Sequence, residues 1–84
     1  MTTEFIEVDL NNEEKQAILK HADFFVTEEL TKKDLLNKRK KWIRFTLYEL
    51  REIVGELSYY FNHSNNDQEF YVLDELIGHL ENYL

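Results

Sequence analysis

The sequence predicts a mostly α-helical fold with a minor two-stranded β element, in which an antiparallel C-terminal helical hairpin packs against an N-terminal helix. Three observations predict it. Apolar residues recur at helical spacing over residues 47–61 and again over 70–84. Two short segments, 5–10 and 42–45, read as strands, and each leads into a helix-capping pattern. The chain has 84 residues, no Pro, no Cys and two Gly, which suits one small domain over residues 1–84 built without disulfides or proline-rich linkers.

In the first segment Ile6, Val8 and Leu10 alternate with Glu7 and Asp9, the period of a half-buried strand. Asn11 and Glu14 then have capping-box spacing, with Asn in the place of Ser or Thr, and Glu13 and Glu14 suit the positive end of a helix. Ile18, Ala22 and Phe25, flanked by Leu19 and Val26, extend an amphipathic helix over residues 12–26. Thr31 and Asp34 form a weaker start signal for a short helix that seats Leu35 and Leu36. Four adjacent bases, Lys38–Lys41, repel one another and end it near Lys40. Trp42-Ile43-Arg44-Phe45 is aromatic and β-branched, as a second strand requires. Two lone strands are marginal, so they are expected to pair with each other, in a direction the sequence leaves open.

Thr46 and Glu49 make a capping box for the next helix. Its stripe is Leu47, Leu50, Val54, Leu57 and Phe61. Asn62–Asp67 supplies a polar turn, and a second stripe follows at Phe70, Leu73, Ile77, Leu80 and Leu84. Folded back on each other, the stripes pair Phe61 with Phe70, Leu57 with Leu73, Val54 with Ile77, Leu50 with Leu80 and Leu47 with Leu84, all within one residue of a constant register. Ordering two helices costs about as much as burying their seams returns, so the hairpin needs the first helix or a second subunit on its other side. Gly55 and Gly78 lie beside the stripes, where close approach of a neighbouring element is the expected reason for a bare backbone.

The net charge of −7 is unevenly distributed. Residues 32–44 hold seven bases and one acid, between two acidic flanks. An acidic chain is repelled from nucleic acid at long range, although Lys38, Arg39, Lys40, Lys41 and Arg44, with Trp42 to stack on a base, retain the means of a local phosphate contact. The ordinary reading of this segment is a solvated turn or a lysine-guarded strand edge. The tyrosines form a second theme. Tyr59, Tyr60 and Phe61 cannot all enter one stripe, so some tyrosines lie on a flank. Those on a flank pack against the first helix or a partner with the hydroxyl wet; burial within the monomer is expected, and an exposed protein interface is the alternative.

Signals for chemistry are sparse. Glu75 and His79 share a helix face but supply only two of the ligands a zinc site needs, and a solvated pair is expected there. His63 suits a helix C-terminus. Glu52 with Glu56, and Asp74 with Glu75, are carboxylate pairs that no pattern marks as buried, as acid–base work requires. No Gly-rich phosphate loop or nucleophile elbow is present. No cofactor, metal or catalysis is expected. No apolar run spans a membrane and no secretory leader is visible, so the default location is the cytoplasm.

The order of a strand, the Asp9-Leu10-Asn11-Asn12-Glu13-Glu14 helix start, a second strand, the Thr46-Leu47 helix ending at Asn62-His63 and the Leu73-Asp74-Glu75-Leu76 helix resembles small helical proteins of bacteria. That likeness implies no activity. The expected function is a non-catalytic protein–protein interaction module, with a homodimer as one form. Its candidate surface is Lys38, Arg39, Lys40, Lys41, Trp42, Arg44, Tyr59 and Tyr60. Alternatives are nucleic-acid contact through residues 38–44, or an acidic mimic of nucleic acid that inhibits a nucleic-acid-binding protein.

Overall fold

Backbone pairing and capping place the elements in the expected order. A computed structural model describes residues 4–63 and 67–84. β1 (Ile6–Asp9) leads into α1 (Asn12–His21), a 3-10 turn (Asp23–Phe25) and α2 (Glu29–Leu36). β2 (Trp42–Phe45), α3 (Leu47–His63) and α4 (Asp67–Glu81) follow. β1 and β2 pair antiparallel, Ile6 with Phe45 through Asp9 with Trp42. The two-stranded element and the helical hairpin are therefore both present. The polar turn at 62–67 and the Phe70 side chain fall largely outside the described residues.

The sheet buries one face. Val8 and Leu10 of the first strand segment, and Ile43 and Phe45 of β2, join Ile18 of α1 and Ala22, which caps its end, in a core completed by α3 and α4. Glu7, Asp9, Trp42 and Arg44 occupy the other face, as period-two geometry requires. α1 begins on the predicted capping box: the Glu14 N–H donates to Asn11 Oδ1 at 2.8 Å, and the Asn11 N–H to Glu14 Oε1 at 3.0 Å.

α1 ends at His21 rather than near residue 26. Beyond it, the N–H groups of Thr27 and Glu28 donate to Glu49 Oε2 at 3.1 and 3.2 Å, bonds that a continuing helix would have used internally. α2 corrects a second expectation. Thr31 is not its cap but lies inside it, with its hydroxyl donating to Glu49 Oε1 at 2.8 Å. The helix stops at Leu36, before the four bases, because Asn37 turns to extended backbone. Only Leu35 of the expected pair is buried; Leu36 is 60% exposed.

In the hairpin the buried seam runs through Leu50, Ile53 and Leu57 of α3 and Leu73, Leu76 and Leu80 of α4. The middle rung is thus Ile53 and Leu76, and the expected Val54 and Ile77 are only half buried. Leu47 and Leu84, the expected outer rung, are exposed. α1 packs against both hairpin helices. The seam therefore points into a three-helix centre, one residue round from a two-helix contact. The glycine expectation also fails: a Cβ built at Gly55 or Gly78 meets nothing within 4 Å.

Candidate interaction surface

The basic segment forms the turn between α2 and β2, and buried side chains fix its shape. Lys15 of α1 is 2% exposed. Its ammonium donates to the Asn37 carbonyl at 2.8 Å and also to the Lys40 carbonyl. A cation on carbonyls at the end of α2 complements the negative end of that helix. Within the turn, Asn37 Oδ1 accepts from the Arg39 N–H at 3.1 Å, and the Asn37 carbonyl accepts from the Lys40 N–H at 3.2 Å. An Asx side chain folding its own backbone is a local reason for a tight turn here.

A buried carboxylate divides the bases into two groups. Asp34, on the last turn of α2, is 3% exposed. It accepts from the N–H, Nε and Nη2 of Arg44 at 3.1, 2.9 and 2.9 Å, and from Lys40 Nζ at 2.9 Å. The Arg44 guanidinium above all, helped by Lys40 and against the opposing effect of burial, holds the Asp34 carboxyl well below the usual carboxylate range. Donating to the Asp34 carboxylate in turn strengthens the hold of Arg44 on its proton. Lys40 and Arg44 are therefore structural. Lys38, Arg39 and Lys41 are exposed and make no side-chain hydrogen bond or ion pair among the described residues. Trp42, which follows them, is 49% exposed.

The turn borders a groove of about 600 Å³, lined by residues 38–41 together with Asp9, Glu14, Glu75 and His79. His79 Nε2 lies 2.8 Å from the Asp9 carbonyl and 3.1 Å from Asp9 Oδ1; with acceptors on both sides, that nitrogen carries a proton. The groove is thus of mixed charge, with free cations on an otherwise acidic molecule.

Tyr59 and Tyr60 belong elsewhere. Tyr60 lies against His21, ring centroids 4.6 Å apart, and Tyr59 stacks on His63 at 4.3 Å. His63 Nδ1 donates to the Tyr59 carbonyl at 2.7 Å, the expected C-terminal role. Neither tyrosine lines the groove. Sequence reasoning placed them with the basic segment, but the fold puts them at the far part of α3. Tyr48, Tyr59, Tyr60 and Tyr71 are all exposed, so the expected burial within the monomer fails for them, although Tyr60 packs on His21 of α1.

Two groups that organise the molecule were missed by sequence reasoning. Glu49, fully buried, accepts from the amides of Thr27, Glu28 and Thr46 and from the hydroxyls of Thr31 and Thr46. Its Thr46-x-x-Glu49 box was legible, but its second task at the start of α2 was not. Lys15 carried no signal beyond lying on a helix. No buried side-chain nitrogen or oxygen lacks a hydrogen-bond partner among the described residues. Among the same residues, no group of three His, Cys, Asp or Glu side chains is placed to hold a metal, and no helix is long and apolar enough to cross a membrane. Comparison of the chain with protein-family models, curated proteins and solved structures finds no match.

Proposed function

We propose that the chain is a non-catalytic interaction module that binds an acidic, apolar-containing segment of another protein at its α2–β2 turn. The observation that carries this reading is the division of labour within the turn. Lys15, Asp34, Lys40 and Arg44 hold it, while Lys38, Arg39, Lys41 and Trp42 are left to solvent. A turn held by buried bonds loses little freedom on binding, and an exposed Trp beside cations is a favourable contact centre.

Two further features support it. The buried ionisable groups Lys15, Asp34 and Glu49, where tuned catalytic residues are usually found, all serve structural hydrogen bonds. Asp9, Glu14 and Glu75 in the same groove repel a uniformly charged phosphate backbone, whereas a protein segment can set its acids against Lys38, Arg39 and Lys41 and apolar or neutral residues against the carboxylates.

Selection of random peptides on the immobilised chain tests the reading. It expects acidic sequences containing Leu, Phe or Trp, lost on Lys38→Glu/Arg39→Glu/Lys41→Glu. Enrichment unaffected by that variant, or tight binding of single-stranded DNA or RNA at low salt instead, defeats it. Light scattering after size exclusion addresses the homodimer form: a single monomer peak at high micromolar concentration removes it.

A further inference from the structure

The open edge of the small sheet offers a second binding surface, separate from the turn. The Leu10 N–H donates to the Lys41 carbonyl at 2.9 Å. In the observed antiparallel register, this makes Ile6–Phe45 and Val8–Ile43 the pairs that exchange backbone bonds. The N–H and carbonyl groups of Glu7 and Asp9 on β1, and of Trp42 and Arg44 on β2, therefore point away from the partner strand. Two contacts agree with this. On the β2 side, the Arg44 N–H is met by Asp34 of α2, which packs along that strand. On the β1 side, the Asp9 carbonyl is met by His79.

One edge is therefore covered and the other is only half covered. The N–H and carbonyl of Glu7, at the centre of β1, find no backbone or side-chain partner among the described residues. Its carboxylate is exposed as well, and the guanidinium across the strand pair gives its hydrogen bonds to Asp34 and acts on Glu7 only through space. On the opposite face Ile6 is only half buried, whereas Val8 is fully buried.

We propose that the free edge of β1 takes up an extended, antiparallel segment of a partner protein, with a basic residue opposite Glu7 and apolar residues on either side of it. The residue facing Glu7 exchanges both backbone bonds with it and stands beside its side chain, so a Lys or Arg there adds a counter-charge in direct contact. Its neighbours fall on the other face of the added strand, next to Ile6 and Val8, where apolar groups extend the core. A second copy of β1 is a poor occupant. Setting Glu7 against Glu7 or Asp9 of another chain opposes like charges. In the Asp9 register, His79 also blocks one carbonyl.

The test uses the full chain and a short capped peptide alternating Val and Lys. Two control peptides accompany it: one with Glu in place of Lys, and one whose backbone nitrogens facing β1 are methylated. Saturating Val–Lys peptide is expected to slow exchange of the Glu7 amide by about tenfold or more. The Glu and methylated peptides are expected to bind at least about tenfold more weakly. Glu7→Lys should weaken binding of the Val–Lys peptide to the same degree, and the milder Glu7→Gln should fall between, each with an unchanged far-ultraviolet CD spectrum. An unprotected Glu7 amide, equal binding of the methylated peptide, or indifference to both Glu7 variants overturns the proposal. Protection of the Glu7 amide that grows with protein concentration alone, together with a doubled mass, overturns it in favour of self-pairing.

Discussion

Lys15 shows how one side chain sets the shape of a surface it does not belong to. Its ammonium lies among carbonyls of the turn, and its stem fills core volume beside α1. Lys15→Met keeps the stem and removes the charge. Equilibrium urea unfolding should show a loss of about 1.5–3 kcal/mol, the usual worth of charge-assisted hydrogen bonds, and the amides of residues 37–41 should exchange faster. Asp34 makes the complementary prediction. Asp34→Asn leaves Arg44 and Lys40 without their counter-charge, and should cost roughly 2–4 kcal/mol at neutral pH. Because folding lowers the pKa of Asp34, its contribution is complete above the unfolded carboxylate value. It is lost as pH falls toward the folded value. Stability of the parent chain should therefore fall more steeply than that of Asp34→Asn as pH drops below about 4. Equal slopes for the two proteins would remove Asp34 from the account.

At the scale of elements, the parts legible in the sequence were those with local causes. Asn11 with Glu14, and Thr46 with Glu49, announced two helix starts correctly, since a capping box involves residues three apart. Alternation announced the first strand, and aromatic and β-branched content the second. Errors arose where a partner distant in sequence decided the outcome. Glu49 reaches back to Thr27 and Glu28 and shortens α1. Asp34 takes Lys40 and Arg44 out of the turn's basic set, and Lys38, Arg39 and Lys41 of residues 38–44 make no side-chain hydrogen bond or ion pair among the described residues. The seam of the hairpin turned toward α1 because three helices, not two, share it. The glycines give a prediction at this scale. Both lie on exposed, helical backbone with open space around them. Gly55→Ala and Gly78→Ala should each raise stability by about 0.5–1 kcal/mol in thermal or urea unfolding, chiefly by restricting the unfolded chain. A loss of stability in either would mean that something approaches the bare backbone after all.

The whole molecule extends 42 × 24 × 22 Å, long enough to keep its exposed features apart. Residues 38–41 of the turn border the mixed groove and Trp42 follows them, the Glu7 edge lies along the sheet, and Tyr59 and Tyr60 sit against His63 and His21 respectively. The sequence supplied most of the candidate residues but not their grouping, because side-chain chemistry is visible in a string and adjacency in space is not. The chain has one Trp, so its emission reports on the turn without interference from another. The most direct measurement is therefore a titration of Trp42 fluorescence with an acidic peptide containing Leu and Phe, at physiological salt. A saturable blue shift is expected, with affinity reduced by about tenfold or more in Lys38→Glu/Arg39→Glu/Lys41→Glu. Emission that stays constant to millimolar peptide, or the same response from the charge-reversed chain, would contradict it.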